Sequence, residues 1–276
     1  MSFIRTTLCA AFAATLLASP LFSQTSTTPP STTAKPKSTT SSTAAKSSTA
    51  AKPSYDRTLL KPALLKDTAP DTFQVKFETT RGDFTVTVTR SWAPLAADRF
   101  YNLVKHHYFD GARFFRVVPG FVVQFGINGN PPVNAAWEKA TIKDEPVTQK
   151  NKRGTLTFAK TSLPNSRTVQ IFINLKDNPS LDSQGFAPFG IVDDKGMNVV
   201  EMMYDQYGDS AGLDQQAMEK GGEQYIAGKW PKLDAIRTAY LIGAAAEAAA
   251  TKPATTTAKP APKPQPKPVH PATPQH

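Results

Sequence analysis

The stretch FFRVVPGFVVQFG, Phe114 to Gly126, is apolar almost throughout, yet Arg116 sits inside it. Pro119-Gly120 is a turn signal, so the stretch predicts two short strands joined by a tight turn. Strand side chains alternate between faces. A guanidinium between two phenylalanines and two valines can therefore sit on a solvent face of an edge strand, or it can point into an apolar pocket.

Upstream of it, Phe73, Val75 and Phe77 alternate with Gln74, Lys76 and Glu78. Phe84, Val86 and Val88 alternate with Thr85, Thr87 and Thr89. The glycine turn between these runs predicts a β-hairpin with one buried face. Ser91 to His107 follows with helical spacing: Pro94 suits a first turn, and Ala96, Phe100, Leu103 and Val104 share a face. Downstream, Gly154–Ala159, Val169–Asn174 and Phe186–Val192 are short strand candidates. Asp193-Asp194-Lys195-Gly196 reads as a hairpin turn. Leu233, Ile236, Tyr240 and Leu241 suggest a second helix over Pro231–Ala250. Short strands, Gly/Pro turns and two helices predict a mainly β domain, a closed or nearly closed antiparallel barrel capped by helices.

The ends differ in composition. Met1–Ser23 reads as a secretory signal, with Arg5 ahead of an apolar run from Leu8 to Leu17. That run is too short to span a bilayer, so no stable membrane insertion is expected once the signal is removed. The single cysteine, Cys9, lies within it, so the processed chain would carry no thiol. Residues 24–54 are a Thr/Ser/Ala/Lys/Pro linker, and 243–276 an Ala/Lys/Pro tail; both compositions predict disorder. Residues 55–242 form the globular domain. The net charge is +10. Five cations and no acid lie in residues 1–54, and four lysines face one glutamate in 245–276, which leaves +2 for the middle. The basic balance therefore argues for solvated tails, at most weakly attracted to an anionic envelope, and not for a nucleic-acid groove. An exported protein, periplasmic or extracellular, is expected.

The opening stretch resembles the signature of the cyclophilins, a Phe-His-Arg triplet followed by Pro-Gly-Phe and Gln-Gly-Gly. IKDEPVTQKNKRGTLTFAK (Ile142–Lys160), VQIFINLKDNPSLDSQGFAPFGIV (Val169–Val192) and SWAPLAADRFYNLVK resemble further blocks of that family in order and spacing. Tyr225–Ala239, with its Trp-Pro-Lys-Leu-Asp, resembles a C-terminal extension of some bacterial members. The resemblance implies an eight-stranded antiparallel barrel capped by two helices. It also implies peptidyl-prolyl cis-trans isomerase activity, proline-containing polypeptides as substrates, a monomer, and no cofactor or metal.

By the same resemblance, Arg116 is the catalytic arginine and Gln124 orients it. Phe121, Val122, Phe172 and Leu181 match positions lining the proline pocket. Ala159 and Lys160 match the strand that pairs with the peptide, and Gln170 lies near the residues preceding proline. Phe186 falls where many members have a histidine. Taken singly, Phe121 and Phe172 also fit a plain core, and Gln124 an exposed strand position. Four departures stand out. Phe115 replaces the histidine, Phe125 a glycine and Ile171 a phenylalanine; Phe125 is expected to reshape one pocket wall. Ser180 stands where many members carry a tryptophan, which implies weak inhibition by the cyclosporin class. Two other readings stay open on residues alone: a non-catalytic module that binds proline segments, and an envelope chaperone. His106-His107, at a helix end, suggest no metal site.

Overall fold

The computed structural model describes residues 55–244 and 246. The expected signal and linker, and nearly all of the tail, lie outside the described residues. Eight strands form one sheet in which every pairing is antiparallel: β1 (Thr72–Thr79), β2 (Asp83–Thr89), β3 (Arg116–Val118), β4 (Val122–Phe125), β5 (Thr155–Phe158), β6 (Ile171–Asn174), β7 (Pro188–Val192) and β8 (Ile236–Ile242). Their spatial order is β3-β4-β6-β5-β7-β2-β1-β8. The sheet curls into a half-barrel. Its two ends meet just outside the edge strands, where Gly111 N donates to Ile236 O (2.8 Å), Ile236 N to Ala112 O (2.9 Å) and Phe114 N to Asp234 O (2.9 Å).

The hairpin β1–β2 holds the expected register, with Phe77 opposite Phe84 and Val75 opposite Val86. Phe77 and Phe84 stack at 4.8 Å, and Phe77, Phe109 and Phe114 surround Phe125 edge-on. Helix α1 (Pro94–Lys105) closes over this core with Phe100, which meets Phe77, Phe109 and Phe189. Proline at its start costs no hydrogen bond, and the free amides of Leu95 and Ala96 are capped by the Glu145 carboxylate at 2.6 and 2.9 Å.

Two local expectations are corrected. Residues 236–242 form strand β8, not a helix. Ile236, Ala239 and Leu241 turn inward there, while Tyr240 faces out and bonds Glu78. The free edge of β1 offers hydrogen-bond partners along its length, and this tertiary demand overrides the helical spacing of Leu233, Ile236 and Tyr240. The Asp193–Gly196 turn is a helix start instead. Asp193 Oδ1 accepts from Gly196 N at 2.6 Å and caps helix α4 (Asp194–Val200). Met197 and Val200 of α4 enter the main core, so α4 is the second capping helix.

Four further helices are present among the described residues: α2 (Pro131–Trp137), α3 (Pro179–Ser183), α5 (Gly208–Gly212) and α6 (Gln215–Lys229), which is bent at Gly222. The α5–α6 segment packs on its own apolar cluster, formed by Phe115, Ile127, Ala211, Met218, Ile226 and Leu233. It is tied internally by Asp214 Oδ2, which accepts from Tyr225 Oη (2.7 Å), Lys229 Nζ (2.8 Å) and Trp230 Nε1 (3.3 Å).

Two outcomes follow. At Gly126 the backbone has φ +115°, and a Cβ would lie 2.5 Å from Val169 O and 2.8 Å from Gln170 Cα. Gly126→Ala is expected to cost about 3 kcal/mol or more in a denaturant titration, because overpacking and backbone strain add. The hydrogen bonds from Lys229 and then Tyr225 hold the Asp214 carboxyl below the usual aspartate range, against a smaller push from burial. A lowered folded-state pKa stabilises above the unfolded value, and that contribution is lost as pH falls through the folded value. Hydrogen-exchange protection of α6 is therefore expected to fall below about pH 4. Asp214→Asn should show the weaker protection already at neutral pH and lack the acid step.

Candidate functional site

Strand alternation divides the opening stretch into two faces. Val117, Val123 and Phe125 point into the main core together with Ile171 and Ile173 of β6. Arg116, Val122, Gln124 and Phe172 take the opposite face, where Arg116 stands across from Gln124 and Gln124 across from Phe172. Val122, Phe172 and Leu181 form a small cluster separate from the core, flanked by Phe121, Ala159 and Phe186. They make the floor of a cavity of about 760 Å³.

All ten residues singled out in the sequence line this cavity. The apolar side carries Phe121, Val122, Phe172 and Leu181, with Phe186 meeting Phe172 edge-on at 5.6 Å. Asn151 holds that rim: its Nδ2 donates to Phe186 O and to Asp182 Oδ1, both at 2.8 Å. Lys160 Nζ lies 5.2 Å from the centre of the Phe186 ring. The Arg116 guanidinium lies 5.5 Å from the centre of the Phe121 ring, within the range of cation–π attraction.

A polar chain borders the apolar floor. Arg116 Nη1 donates to Gln124 Oε1 at 3.4 Å, and Gln124 Nε2 to Gln170 Oε1 at 2.9 Å. Gln170 Nε2 donates to Glu219 Oε1 at 3.2 Å. Burial raises the Glu219 carboxyl; the hydrogen bond from Gln170 opposes this and the neighbouring Glu138 adds to it. Gln124 is only 7 % exposed, so its amide needs these partners. Arg116 Nε donates to Asp209 Oδ1 at 2.5 Å. Among the described residues Arg116 Nη2 has no acceptor, which leaves it for an incoming group.

Sequence reasoning missed part of the cavity wall. Asp209, Gly212, Leu213 and Gln215 of the α5–α6 segment line the cavity, as do Thr161, Ser166 and Thr168. Gly212 lies flat on the Arg116 stem; a Cβ there would sit 2.7 Å from Arg116 Cδ and 2.9 Å from Cγ. The signals for the α5–α6 part of this wall were Phe115 and the resemblance of Tyr225–Ala239 to a C-terminal extension. Phe115 is 0 % exposed and anchors the cluster beneath the segment. Phe125 does not reshape the pocket as expected. It is buried among Phe77, Phe109 and Phe114, because its place in β4 faces the barrel interior. Ile171 is likewise a core residue, and Ser180 is exposed on α3.

The family model for cyclophilin type peptidyl-prolyl cis-trans isomerases matches residues 74–220, more than half of the chain. A peptidyl-prolyl cis-trans isomerase of Acinetobacter baylyi is 39% identical over 135 residues, covering 46% of this chain and 69% of the relative. Peptidyl-prolyl cis-trans isomerase B of Escherichia coli is 35% identical over 135 residues, covering 46% of this chain and 81% of the relative. A solved cyclophilin type isomerase from Cryptosporidium parvum aligns with TM-score 0.46 at 20% identity, over 62% of this chain and 98% of that one. With the family model spanning both strands of the arginine hairpin and the whole of the cavity lining, the chain belongs to the cyclophilin-type peptidyl-prolyl cis-trans isomerases.

Proposed function

We propose that this chain catalyses cis–trans isomerisation of Xaa-Pro bonds in polypeptides, with Arg116 as the catalytic group. Rotation about a peptide bond meets a barrier of about 18–20 kcal/mol, since it breaks amide resonance. No covalent bond has to form. The protein needs only to bind the twisted amide more tightly than either planar form. On twisting, the prolyl nitrogen recovers a lone pair. A cation beside that nitrogen stabilises the twisted state and does little for the planar one. Arginine suits the task because it is a weakly hydrated cation with several donors in a fixed fork.

The observation that carries this reading is the placing of Arg116 at the edge of an apolar hollow. Phe121, Val122, Phe172 and Leu181 supply the surface for the pyrrolidine ring. Gln124 holds Nη1 and limits the guanidinium's rotation. Ala159 N donates to Gln170 O at 2.9 Å, so the polar backbone of Ala159 faces β6 and that of the next residue, Lys160, is turned outward for an added peptide strand. Gln170 and Lys160 then face residues next to the proline. This pairing of an arginine with a glutamine over an apolar floor favours turnover over simple holding of proline segments.

The export expected from Met1–Ser23 supports a working place outside the cytoplasm and clients among exported polypeptides, with the protein acting as a monomer. The absence of cysteine after Cys9 suits an oxidising compartment. Fractionation with N-terminal sequencing checks this: a processed chain starting near Ser19 or Gln24 in the exported fraction is expected, and an unprocessed cytoplasmic chain would refute it.

The decisive measurement is kcat/KM on a Xaa-Pro peptide for wild type and Arg116→Ala. A loss of about 10²–10³-fold is expected, the size seen when one donor to a developing charge is removed. Equal rates would end the catalytic reading.

A further inference from the structure

Both ends of the polar chain that contains Arg116 are carboxylates of the α5–α6 segment. Asp209, in α5, holds Arg116 Nε, and Glu219, in α6, holds Gln170 Nε2. The two ends do different things. The Asp209 carboxylate takes the Nε edge of the fork and Gly212 presses on the stem, so the guanidinium is fixed in plane and in reach. At the far end, direction is at stake. A glutamine amide can be turned either way, and each orientation swaps donor and acceptor. A carboxylate only accepts. Gln170 must therefore offer Nε2 to Glu219 and its carbonyl to Gln124. Gln124 must in turn donate with Nε2, which leaves Oε1 facing Arg116. With the chain reversed, the Gln124 amide hydrogens would meet the guanidinium hydrogens, two donors with no acceptor between them.

We propose that Asp209 and Glu219 are positioning residues for the isomerisation, clamping Arg116 at Nε and setting the amide direction of Gln124 from the opposite end. The proposal rests on Arg116 being catalytic. It makes the α5–α6 segment a part of the active site, although neither carboxylate acts on the substrate amide. Because both clamps are on one segment that is itself seated on Phe115, the segment's docking and the geometry of the fork are one event.

The test uses the full chain and a Xaa-Pro peptide, with exchange rates and kinetics measured for four variants alongside wild type. Asp209→Asn keeps an acceptor and removes the charge; Glu219→Met removes the acceptor at similar size. Each is expected to lower kcat/KM about tenfold, mostly through kcat, the size of effect a modest misplacement of a catalytic group produces. Glu219→Gln, whose carbonyl can accept from Gln170, should recover most of the loss seen in Glu219→Met. NMR supplies the readout that a general loss of structure would not give. The Arg116 Nε–Hε resonance should move in Asp209→Asn, and the Gln124 side-chain amide resonances should move in Glu219→Met, with backbone resonances of the barrel unchanged. Wild-type kcat/KM in both variants, while Arg116→Ala is inactive, would overturn the proposal alone. So would lost activity with these side-chain resonances unmoved and no recovery in Glu219→Gln. Full activity in Arg116→Ala would overturn the catalytic reading and this proposal with it.

Discussion

The alternation of side chains along β3 and β4 is the constraint on which the rest depends. Each strand must serve two environments at once. Val117, Val123 and Phe125 complete the barrel core, and Arg116, Val122 and Gln124 build the cavity on the other face. A shift of one residue in register would send the arginine into a cluster of phenylalanines and the phenylalanine into the cleft. Burying a guanidinium without a partner costs far more than any gain in the cleft, so the core itself enforces the position of Arg116. Stability and catalysis thus share one register.

That shared register explains why so much was legible. Runs such as Phe73–Phe77 and Phe84–Val88 alternate cleanly because one face is wet and the other packed. The hairpin and α1 follow from local spacing, and the arginine stretch carries its own turn in Pro119-Gly120. The errors have a common cause. At 236–242 the deciding partner is the edge of β1, more than 150 residues earlier in the chain, and no local period reports it. At Asp193 the aspartate that suits a turn suits a helix cap equally well, and only the packing of Met197 and Val200 decides between them. The cavity floor was legible through the family resemblance; Val122 and Phe172 lie on strands with a fixed face, whereas Leu181 lies on α3. The far wall was not legible, since Asp209 reaches Arg116 across 93 positions and Glu219 reaches Gln170 across 49.

Phe115 connects these two halves. It stands just before β3, where the family resemblance leads one to expect a polar histidine. An exposed phenylalanine there would forfeit about 1.5–3 kcal/mol of burial. The α5–α6 segment recovers it by packing Ala211, Met218 and Ile226 against the ring. A cover seated on Phe115 cannot avoid the neighbouring residue, because Arg116 is the next position and its stem crosses to the same rim. Gly212 is what lets the two pass, and the adjacent turn of α5 brings Asp209 to Nε.

A carboxylate so close to a catalytic cation opposes its field, and the geometry shows how the two are reconciled. Asp209 binds the Nε edge, on the side of the α5 helix, while Nη1 is held by Gln124 and Nη2 has no acceptor among the described residues. Attraction between charges falls with distance and with exposure to water. The Asp209 side chain is 59% exposed, so solvent screens it, whereas the Arg116 side chain is 24% exposed and its guanidinium stands 5.5 Å from the centre of the Phe121 ring, where screening is weaker. The pair thus gives up part of the arginine's charge at Nε and keeps the Nη donors for Gln124 and an incoming group. In a reaction that needs a cation at one point of a turning amide, holding the fork still contributes more than leaving its full charge free to wander.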